Sequence, residues 1–187
     1  MAFYDFNKDI ETGTVGEKIL YQYLIKTFNA EYAGKSEVSD GNHKEFDLKF
    51  IFPTTGNQII VFEVKNDNYI KEGKTLPNGA YYPGRETGNI VIEFKVFGNP
   101  SGINVTTADW WVYIFENKEE IWFIEVDKLK KLISENDFEI KVGGDKKDRW
   151  GRVIEQKNRS HMYAIPREKY RKYFKVKKYN PIELGLQ

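Results

Sequence analysis

The feature that most constrains the fold is a pair of alternating runs, "EFDLKFIF" (45–52) and "QIIVFEVK" (58–65), set around "PTTGN". Successive side chains of a strand point to opposite faces, so each run has one apolar face and one face that carries charge. Joined as a hairpin, with a loop too long for a two-residue turn, the runs bury their apolar faces together. Phe46, Leu48 and Phe50 then stand opposite in facing to Asp47 and Lys49, and Ile60, Phe62 and Val64 to Val61, Glu63 and Lys65. With Ile51 paired to Ile59, the antiparallel register sets Asp47 directly across from Glu63.

Two carboxylates in that position repel, and either a raised pKa or a bound cation relieves them. A hard divalent ion such as Mg2+ takes carboxylate oxygens, keeps several waters and shares phosphate oxygens with a substrate. Lys65, one alternation further on, is placed to orient or deprotonate an attacking water, or to neutralise charge on phosphoryl oxygens. Together the three suit hydrolysis of a phosphodiester. An acidic-x-Lys triplet alone is more often a solvated strand face, and Glu93-Phe94-Lys95 has the same local form. Only Glu63 has an acidic partner at hairpin distance; Glu93 could still supply an outer acid from a neighbouring strand.

Asp47, then a hairpin, then Glu63-Val64-Lys65 behind the apolar "IIVF" resembles the PD-(D/E)XK nuclease superfamily, which includes restriction enzymes, Holliday junction resolvases and phage nucleases. Phe46 stands where that pattern often has a proline. The stretch Thr87 to Phe115 is also similar to the segment after the catalytic strand in phage-encoded members, and with it the resemblance spans roughly half the chain. What it implies is an α/β fold with a restriction endonuclease-like core, a central mixed sheet flanked by helices. It further implies Asp47 and Glu63 as metal ligands, Lys65 as the water-orienting group and Glu17, on a helix before the hairpin, as an accessory acid. Mg2+ would be the cofactor, with Mn2+ able to substitute. Glu17 has a second explanation, since it lies three residues after Thr14 in a capping box.

The rest of the chain reads as one domain, 1–187. A helix starts at "TVGE" with Leu20, Tyr21, Leu24 and Phe28 at helical spacing, and ends before Gly34. "IVIEFKVF", "WWVYIF", "IWFIEV", "FEIKV" and "HMYAI" read as strands, "DKLKKLISEN" as a helix capped by Asp127, and "PREKYRKYF" as a basic helix opened by Pro166. "GGDKKDRWGRVIEQKNRS" reads as a basic loop. The polar stretch 66–89, with Tyr69, Tyr81 and Tyr82, reads as a functional or mobile loop, in which Asn66 and Asp67 could touch metal-bound water but are explained more cheaply by turn chemistry.

Charge adds a partner. Residues 1–140 hold 15 Lys+Arg against 23 Asp+Glu, whereas residues 141–178 hold 14 against 4. A basic end on an otherwise acidic chain suggests a polyanion, which the resemblance makes DNA, with Arg149, Arg152, Lys157, Arg159, Arg167, Arg171 and Lys172 as candidate phosphate contacts; a solvated basic surface explains the same residues. Trp150, between Arg149 and Gly151, is placed to stack on a base.

The chain has no cysteine, which excludes disulfides, zinc thiolates and thiol catalysis, and its two histidines, His43 and His161, read as ordinary structural residues. No run is long and apolar enough for a bilayer, so no membrane partner is expected and the cytoplasm is the expected compartment, including a host cytoplasm for a phage-borne protein. The function expected is that of a Mg2+-dependent DNA endonuclease acting as a homodimer. Its alternatives are a junction resolvase or single-strand exonuclease of the same fold, or a catalytically inactive DNA-binding protein.

Overall fold

The computed structural model describes residues 15–36, 46–66, 74–75, 81–82, 88–147 and 153–186. The two alternating runs form β2 (Leu48–Phe52) and β3 (Gln58–Asn66), preceded by helix α1 (Val15–Phe28) and a short strand β1 (Glu31–Gly34). A 3-10 turn at Pro53–Thr55 leads into Gly56 and Asn57, both left-handed with φ of 77° and 64°, which turn the chain back. The expected register is present: Ile51 pairs with Ile59 and Leu48 with Phe62. Period-two alternation and a local turn were sufficient to specify it.

After β3 come the two-residue strands β4 (Lys74–Thr75) and β5 (Tyr81–Tyr82), then β6 (Asn89–Val96), β7 (Asn99–Pro100), β8 (Trp110–Phe115) and β9 (Glu120–Glu125). Helix α2 (Val126–Ser134), β10 (Glu139–Lys147), β11 (Val153–Pro166), helix α3 (Arg167–Tyr170), β12 (Lys175–Lys178) and helix α4 (Pro181–Leu184) complete the order. Six strands form a mixed sheet, β1-β2-β3-β8-β9-β12, in which β3 and β8 are the parallel pair. A second, antiparallel sheet runs β10-β11-β6-β7.

Each face of the mixed sheet has its own core. On one, Ile19, Leu20, Tyr23 and Leu24 of α1 pack on Leu48, Phe50, Phe62, Val64, Val112 and Ile114. On the other, Trp111, Tyr113, Phe115, Trp122 and Ile124 meet Ile90, Ile92 and Ile165 of the second sheet and Leu129 and Leu132 of α2. β8 is apolar at every position because it is covered on both sides, as a central strand must be.

The α/β class and the central mixed sheet are therefore present, but the second face is covered largely by strands where helices were expected. Three local expectations are corrected. The basic stretch 143–160 is strand and not loop over its described part: β10 continues to Lys147 and β11 starts at Val153, held by pairing to each other. The cap of α2 is Glu125, with Asp127 inside the first turn. The basic helix is a single turn, Arg167–Tyr170, followed by a 3-10 turn at Arg171–Tyr173. Among the described residues no helix is long and apolar enough to cross a membrane.

Candidate active site

β3 carries Phe62 and Val64 into the α1 core, so Glu63 and Lys65 project to the opposite face, toward the second sheet. Asp47, just before β2, joins them. Its backbone N–H donates to the Phe62 carbonyl at 2.9 Å, and its Oδ2 accepts from the Val64 N–H at 2.8 Å. Asp47 thus takes the place of a ladder partner at the strand end, beside Glu63.

Glu63 is buried, and both its oxygens are engaged. Oε1 accepts from Lys65 Nζ at 2.5 Å and Oε2 from Thr106 Oγ1 at 3.2 Å. Burial pushes the Glu63 carboxyl above its ordinary pKa; Lys65 opposes that shift and the charge of Asp47 adds to it. For Lys65, burial works against the ammonium, but Glu63 and Asp47, with Glu93 beyond them, outweigh it and raise its pKa. Lys65 is therefore the counter-charge of a carboxylate pair. Its side chain remains 37% exposed, which leaves the group open to solvent, and its Nζ lies 5.4 Å from the Trp111 ring centroid.

Glu93, on β6 of the second sheet, and Thr106, on the connection from β7 to β8, lie on this side of the mixed sheet. Thr106 Oγ1 also accepts from the Ala108 N–H at 3.2 Å, and Glu93 Oε1 accepts from Ser101 Oγ at 2.6 Å. Gly102, at φ +50°, lies so close to β6 that an added Cβ would stand 2.2 Å from the Glu93 carbonyl oxygen. The 101–108 segment is in this way pinned to β6 at one end and bonded to Glu63 at the other. Sequence patterns gave no sign of Thr106, which lies 43 residues from Glu63, whereas Glu93 had been marked by its likeness to the Glu63 triplet.

The other candidates are dispersed. Glu17 is buried in the first turn of α1 and ion-paired to Lys35 at 2.8 Å; it is not among the charges that shift Glu63 or Lys65. Arg171 makes a two-pronged contact with Glu120, at 3.1 and 3.3 Å, and Arg167 is buried with its guanidinium 5.0 Å from the Phe115 ring. Both side chains have partners within the chain, and that of Arg171 stays 40% exposed. Lys172 lies 5.3 Å from the Tyr173 ring on the surface. Lys157 and Arg159 are on β11, of which only the backbone is described there, as is also true of Tyr81 and Tyr82 on β5. Thr14, His43, Asp67, Tyr69, Arg149, Trp150, Gly151 and Arg152 lie outside the described residues. His161, on β11 near Phe94, has a buried Nδ1 with no hydrogen-bond partner.

Among the described residues no three or more His, Asp or Glu side chains gather as a metal-holding group. The Asp47 and Glu63 pair offers two hard-oxygen donors, a set that suits Mg2+ or Mn2+ when waters and substrate oxygens complete the shell. Compared with protein-family models, with curated proteins and with solved structures, the chain matches none.

Proposed function

We propose that this protein is a metal-dependent DNA endonuclease, with Asp47 and Glu63 as metal ligands and Lys65 as the group that orients the attacking water. The observation that carries the reading is the β2–β3 register, which sets Asp47 beside Glu63 with Lys65 as their shared counter-charge. Burying one carboxylate next to another works against folding, and groups with such perturbed titration are concentrated at functional sites. The α1 helix before the hairpin and the mixed sheet that continues from it agree with the nuclease resemblance.

A bound divalent ion would supply Lewis acidity and a more acidic water. Lys65 is kept charged by Glu63 and Asp47, a hold that a cation bound by the pair would weaken. It orients the water or steadies a phosphoryl oxygen as charge grows there. Thr106 holds Glu63 in place while Lys65 changes partners. Among the basic residues, Arg149, Arg152, Lys157, Arg159, Arg171 and Lys172 are the candidates for DNA phosphates, with Arg171 also bonded to Glu120. One such site cuts one strand, so duplex cleavage calls for two copies.

The test is Mg2+-dependent cleavage of labelled duplex, branched and single-stranded DNA by the parent protein, Glu63→Gln and Lys65→Ala, with folding checked by circular dichroism. The parent is expected to cut, and each variant to lose about 100-fold or more in rate. The substrate that is cut separates an endonuclease from a junction resolvase or a single-strand exonuclease. Salt-sensitive DNA binding that neither Mg2+ nor Lys65→Ala alters, without cleavage, would identify a catalytically idle binding protein instead.

A further inference from the structure

β10 is an edge strand of the second sheet, and its first residues are unusually apolar for an edge: Ile140 is 53% and Val142 46% exposed. An edge presents backbone donors and acceptors to any strand that can reach it, and exposed charge is the usual protection. Here the charge is of both signs. Glu139 and Lys141 share one face of β10 and pair with each other along the strand, while Ile140 and Val142 share the other.

This alternation is complementary to itself. A two-fold axis makes two copies of a strand antiparallel, and residues directly opposite one another then share a face. With the axis at Ile140, each Ile140 meets its counterpart, and Glu139 meets Lys141 on both sides of the axis. An axis at Lys141 would instead set Lys141 against its own counterpart, which is unfavourable. The charges select one register, and a second copy supplies the matching charges in both directions.

We propose that β10 pairs antiparallel with β10 of a second copy of this chain, about a two-fold axis at Ile140, so that the two β10-β11-β6-β7 sheets become one continuous sheet. The proposal rests on the edge strand and not on the nuclease reading. It is tested without DNA, so either can fail alone.

Light scattering and sedimentation equilibrium of the full chain over a concentration series should show the mass rising to twice that of one chain. Glu139→Lys sets like charges across both pairs and is expected to weaken association about tenfold or more. Adding Lys141→Glu to it reverses both pairs and restores association. Glu139 and Lys141 have side chains 64% and 50% exposed, so these changes leave the fold intact. A single-chain mass at every concentration overturns the proposal and leaves the edge for a strand of another protein. Association that Glu139→Lys does not weaken, or that the double change does not restore, overturns it as well.

Discussion

Thr106 shows what a single hydroxyl contributes at the residue scale. It donates to Glu63 and accepts from Ala108, so Thr106→Val leaves a carboxylate oxygen and a backbone N–H short of partners at a cost of about 1–3 kcal/mol. Thr106→Ser keeps both bonds. On the proposed function, the valine variant is expected to need more Mg2+ for half-maximal cleavage and the serine variant to behave like the parent, with metal titration as the readout. A merely structural role would lower the melting temperature and leave that titration unmoved. The Asp47 and Glu63 pair was legible in the sequence because a hairpin is local and its alternation has period two. Thr106 was not, since nothing in its neighbours signals a contact made across 43 residues. Glu17 also shows the limit: its place on the helix was legible, but the ion pair with Lys35 that occupies it depends on where β1 ends.

At the scale of elements, strands marked by apolar runs or by alternation were recognisable and those without either were not. β8 and β9 announced themselves by runs of aromatic and β-branched residues. The 143–160 stretch has glycines and charges that favour a loop, and it is strand over its described part because β10 and β11 pair with each other there. Tertiary pairing outweighed local preference there. β1 and β12 are four residues each at the two sheet edges, too short to show a period. The 101–108 segment carries its own prediction. Gly102→Ala must hold an alanine at φ +50° and push its methyl into the Glu93 carbonyl, so it is expected to destabilise by more than the roughly 1–3 kcal/mol of backbone strain alone. Urea unfolding measures the loss, which should exceed that of Gly56→Ala, where the added Cβ meets nothing within 4 Å.

At the scale of the whole molecule, the second core is closed from the C-terminal side by Arg171. Its guanidinium lies 4.7 Å from the Trp122 ring and bonds Glu120, which also accepts from Trp122 Nε1 at 2.8 Å. Burial works against the Glu120 charge, but the Arg171 and Trp122 donors outweigh it and hold the carboxyl below its ordinary pKa of 4.5. A folded pKa below the unfolded one means stability that is whole above about pH 4.5 and is lost as pH falls through the folded value. Glu120→Gln should therefore be less stable than the parent at neutral pH and lose less on acidification, with the two curves converging in acid; thermal melts across that range measure it.

The parallel pairing of β3 with β8 also sets an order of assembly. The β2–β3 hairpin closes a short loop and brings Asp47 to Glu63 early, whereas Trp111 and Thr106 arrive only when the chain from 67 to 105 has been spanned. Non-local parallel contacts of this kind form slowly. On a ribosome the two carboxylates would meet while β8 was still inside the exit tunnel, so the newborn chain would hold the candidate ligands before it held the wall that positions them.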